Sequence, residues 1–513
     1  MLWLIVVGFL VGFLTLLGVV DLFQRKHAVR RNFPIIGRLR YMLEKIGPEL
    51  RQYVVTGNDE ERPFTRDQRR WVYSAAKQQN SYFGFGTDNK MTSPDYPLVR
   101  HAAFPYAPRG GESGSGTDMA TPELFEIPVA KVMGEWRDRK RAFRPRSIIN
   151  ISAMSYGSLS WRAVEAMNRG ALRAGVLHNT GEGGVSVHHR HGAELVFQIG
   201  TGYFGVRDRD GRFCLDTLQA LVEETNITAI EIKLSQGAKP GLGGVLPAEK
   251  VTPEIAAARG VEPRQTVVSP SYHTEFDSVP TMVAFVERIA EVTGVPVGIK
   301  SAVGQLGFWR ELAEEMRVTG RGPDFIAIDG GEGGTGAAPL VFSDHVAMLF
   351  RDGFAEVYSA FAQQSMQERV LWVGSGKLGF PGEALTALSL GVDMIAAARE
   401  PMLAIGCIQA QRCHTGHCPA GIATQSKWLM RGLDPTDKAA RLANYLVEFR
   451  HGLLQLSHAC GVPHPSMVGG ESISLLGGEG RSTTLWERYG YDPAWYAAGE
   501  ARREETAKLM ESA

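Results

Sequence analysis

The sequence predicts an α/β chain centred on a parallel (β/α)8 barrel, with helical extensions at both ends and an N-terminal transmembrane helix. Three observations carry this expectation. From about residue 148, short apolar runs rich in Val and Ile, each closing on Gly, Ser or Asn, alternate with longer helical patterns. Eight such runs can be counted, enough to close a TIM barrel and more than a doubly wound sheet would need. The first twenty residues carry no charge, and the segments on either side of the alternating region are polar and helical in pattern.

In order along the chain, MLWLIVVGFLVGFLTLLGVV comes first, and at ~1.5 Å per residue it spans ~30 Å, the thickness of a bilayer core. A cleaved signal peptide would place a basic region before the apolar run and small residues after it, and neither is present. Arg25, Lys26, Arg30 and Arg31 follow instead, so the positive-inside rule keeps the rest of the chain on the cytoplasmic side of the cell (inner) membrane, as a single-pass protein. The expected divisions are an anchor at 1–23, an N-terminal extension at 24–140 with a glycine-rich surface loop at 109–118, the barrel at 141–427, and a C-terminal helical extension at 428–513. The expected barrel strands lie near 147–152, 176–181, 229–234, 266–269, 295–300, 325–331, 369–376 and 394–399.

Composition narrows the function. Lys plus Arg and Asp plus Glu are 55 each, so the net charge is zero and no global field attracts nucleic acid. Five cysteines in 513 residues make no disulfide framework. Three of them, Cys407, Cys413 and Cys418, lie close together on a loop after the last strand, where they could hold an iron–sulfur cluster or, with His414 or His417, zinc. The spacing fits zinc poorly, because zinc sites usually contain a closer cysteine pair. Cys214 and Cys460 are isolated and read as ordinary thiols.

Chemistry in such a barrel belongs at the C-terminal ends of the strands. Those ends carry Ser152 to Ser155, Asn179 to Gly184, Lys233 to Pro240, Lys300 and Ser301, Asp329 to Gly336, and Gly374 to Gly376. Glycine at so many strand ends lets backbone N–H groups face an anion, and the loops after the last strands are a recurrent phosphate site. A phosphorylated cofactor across the mouth is the economical reading. Gly331 to Gly336 match GxGxxG, but no βαβ nucleotide half surrounds them, and the flanking pattern continues as a barrel.

Six motifs then occur in order: SAMSYGSLS, NTGEGG, KLSQGAKPGLGGVLP, SPSYHTEFDS, IDGGEGGTGAAPL and GCIQAQRCHTGHCPAGIATQ. Over about 148–427 the chain resembles the FMN-binding synthase domain of the glutamate synthase family. The resemblance implies FMN at the barrel mouth and a [3Fe-4S] cluster on Cys407, Cys413 and Cys418. It places Ala153, Met154 and Ser155 near the reactive flavin nitrogen. It sets Gly330, Gly331, Gly374 and Gly376 around the ribityl phosphate, with Gly333, Gly334 and Ser375 as further cofactor-binding residues. Lys300 would contact the electron-rich edge of the flavin or the substrate, with Glu182 and Gln236 as further catalytic residues and Gln236 also touching the cofactor. Lys233 and Lys239 are candidates to hold substrate carboxylates.

The implied reaction is hydride transfer from reduced FMN to 2-iminoglutarate, formed from 2-oxoglutarate and ammonia, giving L-glutamate. The cluster hands over single electrons and the flavin collects two. The sequence departs from the full-length family pattern in two places. Leu2 stands where a glutaminase nucleophile would follow Met1, and no glycine-repeat domain follows the barrel. Free ammonia or a separate glutaminase is therefore the expected nitrogen source, and ferredoxin, a partner reductase or a membrane donor the expected reductant. The alternative is a membrane-anchored FMN and iron–sulfur electron-transfer protein acting on another imine, oxo acid or acceptor.

Overall fold

A computed structural model describes residues 1–24, 26–79, 84–107, 126–477, 481–496 and 500–512. The glycine-rich loop at 109–118 and Arg25 lie outside the described residues. The chain divides into two compact units, Met1–Arg69 and Arg70–Ala513.

In the first unit, the apolar run forms a helix over Leu2–Phe23, whose most apolar 18-residue window has a mean hydropathy of 2.6 and is not buried. Its last turn carries Asp21, which is fully buried and accepts hydrogen bonds from Arg30 Nη2 at 2.6 Å, Arg38 Nε at 2.7 Å and the Ile35 amide at 3.1 Å. Two of the basic residues after the apolar run are thus folded back onto its end, one from the short helix Ala28–Asn32 and one from the helix Ile36–Leu50.

The second unit contains strands β1 (Pro97–Val99), β2 (Ile149–Ile151), β3 (His178–Asn179), β4 (Leu195–Ile199), β5 (Ile227–Lys233), β6 (Val245–Leu246), β7 (Val267–Val268), β8 (Val297–Ser301), β9 (Phe325–Asp329), β10 (Leu371–Ser375), β11 (Met394–Ala397), β12 (Ile473–Leu476) and β13 (Ser482–Thr484). Eight of them close a parallel barrel in the order β2-β3-β4-β5-β8-β9-β10-β11 and back to β2. The expected architecture is therefore present, with one strand exchanged. The run near 266–269 is not in the barrel: β7 pairs antiparallel with β6 in a separate two-stranded sheet, and Val268 is largely exposed. Its place is taken by β4, which is buried along its whole length. The alternation of strand and helix breaks there, because β3 reaches β4 through a single 3-10 turn, Val187–His189, instead of a helix.

Continuous burial of β8, β9 and β10 is what an apolar strand covered on both faces requires. The helices between them start and stop on local signals. Ser160 caps Trp161–Ala174 by accepting from the Ala163 amide, and Gly175 ends that helix in the left-handed region at φ 64°. The same helix carries the long C-terminal helix Pro435–Ala459, and a Cβ at Gly170 would come 2.8 Å from Leu442, so only glycine allows this approach.

The lower end of the barrel is closed by residues 127–143. Met133 and Phe143 exchange backbone hydrogen bonds, and Val129 and Met133 join Leu177, Val196, Phe325 and Val373 in one buried cluster. Arg139 ties this plug down, donating to Glu287 at 2.8 and 2.9 Å and to Asp324 at 2.9 and 3.1 Å. The C-terminal extension is helical as expected and also contributes β12 and β13, which form a three-stranded antiparallel sheet with β1.

Candidate active site

The C-terminal strand ends place the expected residues around one mouth. Lys233 closes β5 and Lys300 lies one residue from the end of β8, and the two are register partners. In parallel strands, register partners project to the same side, so both ammonium groups leave the sheet together. Lys233 Nζ donates to Glu182 Oε1 at 2.8 Å and to Gln236 Oε1 at 2.7 Å. Lys300 is buried, 3.8 Å from Asp329 Oδ2, and that oxygen also accepts the Gly237 amide at 2.9 Å. Glu182, Lys233 with Gln236, and Lys300, drawn from three separate strand ends, thus converge. Lys239 is buried and donates to the Gly243 carbonyl at 2.8 Å, within electrostatic reach of Glu182 and Lys233.

The electrostatics follow from this placement. Burial works against the charge of Glu182, yet Lys233, with Lys239 and Arg259 behind it, holds its carboxyl below the ordinary value. Lys239 is lowered by burial first and then by the neighbouring Lys233 charge. Room for the Glu182 carboxylate comes from Gly200 at the end of β4, where a Cβ would sit 2.4 Å from Glu182 Oε2.

A buried polar layer supports the mouth. Asn179 on β3 and Gln198 on β4 both donate to Glu231 Oε1 on β5, at 2.9 and 2.6 Å, and Asn179 Oδ1 accepts the Gly181 amide at 3.0 Å. Through Asn179 the barrel interior sets the start of the NTGEGG loop. Gly181, at φ 65°, lies against the Ser155 backbone, which holds the partly exposed Ala153–Met154–Ser155 segment beside that loop.

The glycines after β9 and β10 act mainly by close approach. A Cβ at Gly237 would sit 1.8 Å from the Gly330 carbonyl oxygen, and one at Gly376 would sit 3.2 Å from Gly330 Cα. The amides of Gly330, Gly331 and Gly333 donate to the carbonyls of Ser375, Met348 and Gly330 at 2.8, 2.8 and 2.9 Å. These three N–H groups are engaged inside the loops. Gly374 and Ser375 are strand residues paired with β9, Gly376 takes φ 140°, and Gly334 packs on Arg399.

Several site residues were not singled out from the sequence. Lys377 directly follows Gly376, and Arg399 follows β11; burial lowers the pKa of both, Arg399 lowers that of Lys377 further, and Glu332 and Glu400 act on both. Arg399 Nη2 donates to the Glu332 carbonyl, and the Glu332 carboxylate accepts the Phe350 amide at 2.8 Å. The signal was present, since these cations terminate the seventh and eighth expected runs. His273 donates from Nε2 to the Lys233 carbonyl at 2.9 Å and faces the Tyr203 hydroxyl at 3.1 Å with Nδ1, and burial holds its pKa below the ordinary value. It thereby fixes the backbone that carries Lys233.

The three clustered cysteines are all outside disulfides. Cys407 follows the helix Arg399–Ala404, Cys413 opens the 3-10 turn Cys413–Thr415, and Cys418 is buried. Burial raises the Cys413 thiol, and the nearby Cys418 raises it further. Gly336 packs on Cys413 with a would-be Cβ contact of 3.1 Å, so the cysteine loop lies against the glycine loop after β9. Tyr73 holds the loop by donating to the Cys407 carbonyl at 2.6 Å.

A family profile described as the conserved region in glutamate synthase matches residues 117–463. The chain belongs to the glutamate synthase family. It is 37% identical over 468 residues to the glutamate synthase large subunit-like protein YerD of Bacillus subtilis, covering 86% of this chain and 88% of that protein. It is 33% identical over 332 residues to the archaeal glutamate synthase [NADPH] of Methanocaldococcus jannaschii, covering 64% of this chain and 62% of that one. The chain thus matches nearly all of YerD and about three fifths of the archaeal synthase. Among solved structures, it is similar to a flavocytochrome b2 variant with sulfite bound, with a TM-score of 0.44, 12% identity and 90% of each chain covered. Family membership makes the chain an oxidoreductase by class.

Proposed function

We propose that this glutamate synthase family member reduces 2-iminoglutarate, formed from 2-oxoglutarate and ammonia, to L-glutamate. The observation that carries this reading is the convergence of Lys233, Glu182, Gln236 and Lys300 on adjoining strand ends, a cationic mouth suited to an anionic substrate.

The residues present fit FMN. Lys300 would face the ring, Lys377 and Arg399 offer half-buried positive charge beside the Gly330 and Gly376 turns for a phosphate, and the glycine contacts leave no side chain in those turns. Three thiols outside disulfides on one loop likewise fit a [3Fe-4S] cluster held by Cys407, Cys413 and Cys418. When bound, the cluster supplies single electrons and the flavin a hydride.

The chain's own residues have separate tasks. Lys233 and Lys239 attract and orient substrate carboxylates. Glu182, ionised and bonded to Lys233, fixes the direction of that ammonium. Lys300 places positive charge where negative charge accumulates at the mouth, and Asp329 holds it there. The loop that carries the β6–β7 pair packs beside Glu182, with a Cβ at Gly244 lying 3.7 Å from its carboxylate, and so screens the site from water.

The exposed apolar helix Leu2–Phe23 supports single-pass anchorage in the cell membrane with the barrel in the cytoplasm. Reducing equivalents would come from ferredoxin, a reductase or a membrane donor, and nitrogen from free ammonia or a separate glutaminase.

The test uses the full chain in detergent, reduced anaerobically and then mixed with 2-oxoglutarate and ammonium. Return of the oxidised flavin bands with formation of glutamate is expected. A flavin that stays reduced would overturn the substrate assignment and favour a different imine, oxo acid or electron acceptor.

A further inference from the structure

On the flank of the barrel, Glu165, His188 and His191, none of them assigned a role above, bring one carboxylate oxygen and two imidazole nitrogens within 4.8 Å of one another. We propose that these three side chains form a zinc site, with Glu254 orienting one of the ligands.

The hydrogen bonding fixes the direction of each donor atom. His188 Nε2 lies 2.6 Å from Glu254 Oε1; an ionised carboxylate only accepts, so the proton sits on Nε2. In that tautomer Nδ1 is the atom that offers a lone pair to a metal, and it faces Glu165 Oε2 at 3.9 Å. His191 Nε2 faces the same oxygen at 3.7 Å. The other Glu165 oxygen, Oε1, is taken by Arg169 Nη2 at 2.7 Å, which leaves Oε2 directed at the two rings.

Both nitrogen–oxygen separations exceed a hydrogen bond, which ends near ~3.2 Å. They approach the spacing of two ligands on one ion. With metal–ligand bonds of ~2.0–2.2 Å in a tetrahedron, neighbouring donors lie ~3.3–3.5 Å apart. Two imidazoles and one carboxylate are a borderline N/O set that suits zinc, with water in the fourth position. A ligating histidine that donates its other N–H to a carboxylate is also the usual support for a metal, and Glu254 provides it for His188.

The surroundings preorganise the group. Trp161 stacks on the His188 ring with centroids 5.3 Å apart, and Asn168 accepts the His191 amide at 3.0 Å. Glu165 and Asn168 share the helix Trp161–Ala174, while His188 lies in the 3-10 turn that replaces a helix between β3 and β4. A bound ion would therefore clamp that connection to the preceding helix.

The full chain, loaded with flavin and iron, is dialysed against a chelator and then equilibrated with zinc, and metals are counted by mass spectrometry. About one zinc per chain is expected, with a rise in Tm. The variants His191→Ala and Glu165→Gln should each lose that zinc while iron content is unchanged, and Glu254→Gln should weaken zinc affinity by about 10- to 100-fold. Wild-type protein that takes up no zinc at micromolar concentration, or zinc retained equally in His191→Ala and Glu165→Gln, overturns the proposal. Zinc lost together with iron in those variants also overturns it, by placing the metal at the cysteines or showing loss of the fold.

Discussion

Lys233 and Lys300 are neighbours across the β5–β8 pairing, and each has its own carboxylate, Glu182 at 2.8 Å and Asp329 at 3.8 Å. Two like charges side by side would repel. Pairing each with an acid from a different loop lets both remain at the mouth and couples the NTGEGG loop and the loop after β9 to the same pair of strands.

Lys233→Met removes the charge-assisted donor to Glu182. A hydrogen bond to a charged group contributes ~1.5–3 kcal/mol. Turnover efficiency with 2-oxoglutarate should fall about 10- to 100-fold. The acid limb of the pH profile should move upward, since Lys233 helps hold the Glu182 carboxyl below its ordinary value. An unchanged acid limb would separate Glu182 from that ionisation.

Gly237→Ala places a methyl 1.8 Å from the Gly330 carbonyl oxygen, a backbone atom that cannot rotate away. Overpacking of this kind costs ~1–3 kcal/mol. Flavin content and Tm should both drop. Gly241→Ala, where no atom lies within 4 Å but φ is 77°, should show only the smaller backbone cost in Tm and keep its flavin.

Arg139→Ala removes the guanidinium that hydrogen-bonds both Glu287 and Asp324 beneath the barrel, leaving Arg137 at 4.0 and 3.6 Å as the cation that still faces them. Removal of one partner from a buried ion pair costs ~3–5 kcal/mol. Urea unfolding should show a loss of this order. A change under ~1 kcal/mol would mean that Arg137 and the apolar contacts of Val129 and Met133 hold the plug.

His464 and His178 are buried, and burial lowers the pKa of each to about 4 from an ordinary 6.5. His464 donates from Nε2 to the Pro128 carbonyl and accepts the Ser466 amide at Nδ1, so its neutral form is the bonded one. Between pH 6.5 and 4 the unfolded chain binds more protons than the folded one. The stability from these two residues is therefore complete above pH 6.5 and is lost as pH falls toward 4, at ~1.4 kcal/mol per pH unit for each. Unfolding free energies measured across that window should decline with acid, and His464→Gln should reduce the slope by one residue's share.

Much of this protein was legible because the information was local. Continuous apolar runs ending in glycine marked seven of the eight barrel strands, and the motifs at their ends gave Lys233, Gln236, Lys300 and the glycine turns. β4 was missed because its connection from β3 lacks the helix that the alternation predicts, and the Val267–Val268 pair imitated a strand while lying outside the barrel. Lys377 and Arg399 ended recognised runs, yet a charge after a strand does not by itself say which loop it will meet.

By itself, the sequence determined the barrel, its cationic mouth, the three-thiol loop and the apolar N-terminal helix, since each follows from periodicity or from residues close in the chain. The tertiary structure alone decided which carboxylate each lysine faces, that the Gly330, Gly331 and Gly333 amides are engaged within their loops, and that Glu165 meets His188 and His191. Apart from the Gly333 amide, which bonds Gly330 in its own turn, those relationships join segments well separated in the chain. They depend on strand register and on how closely two backbones approach, and closure of the barrel sets both.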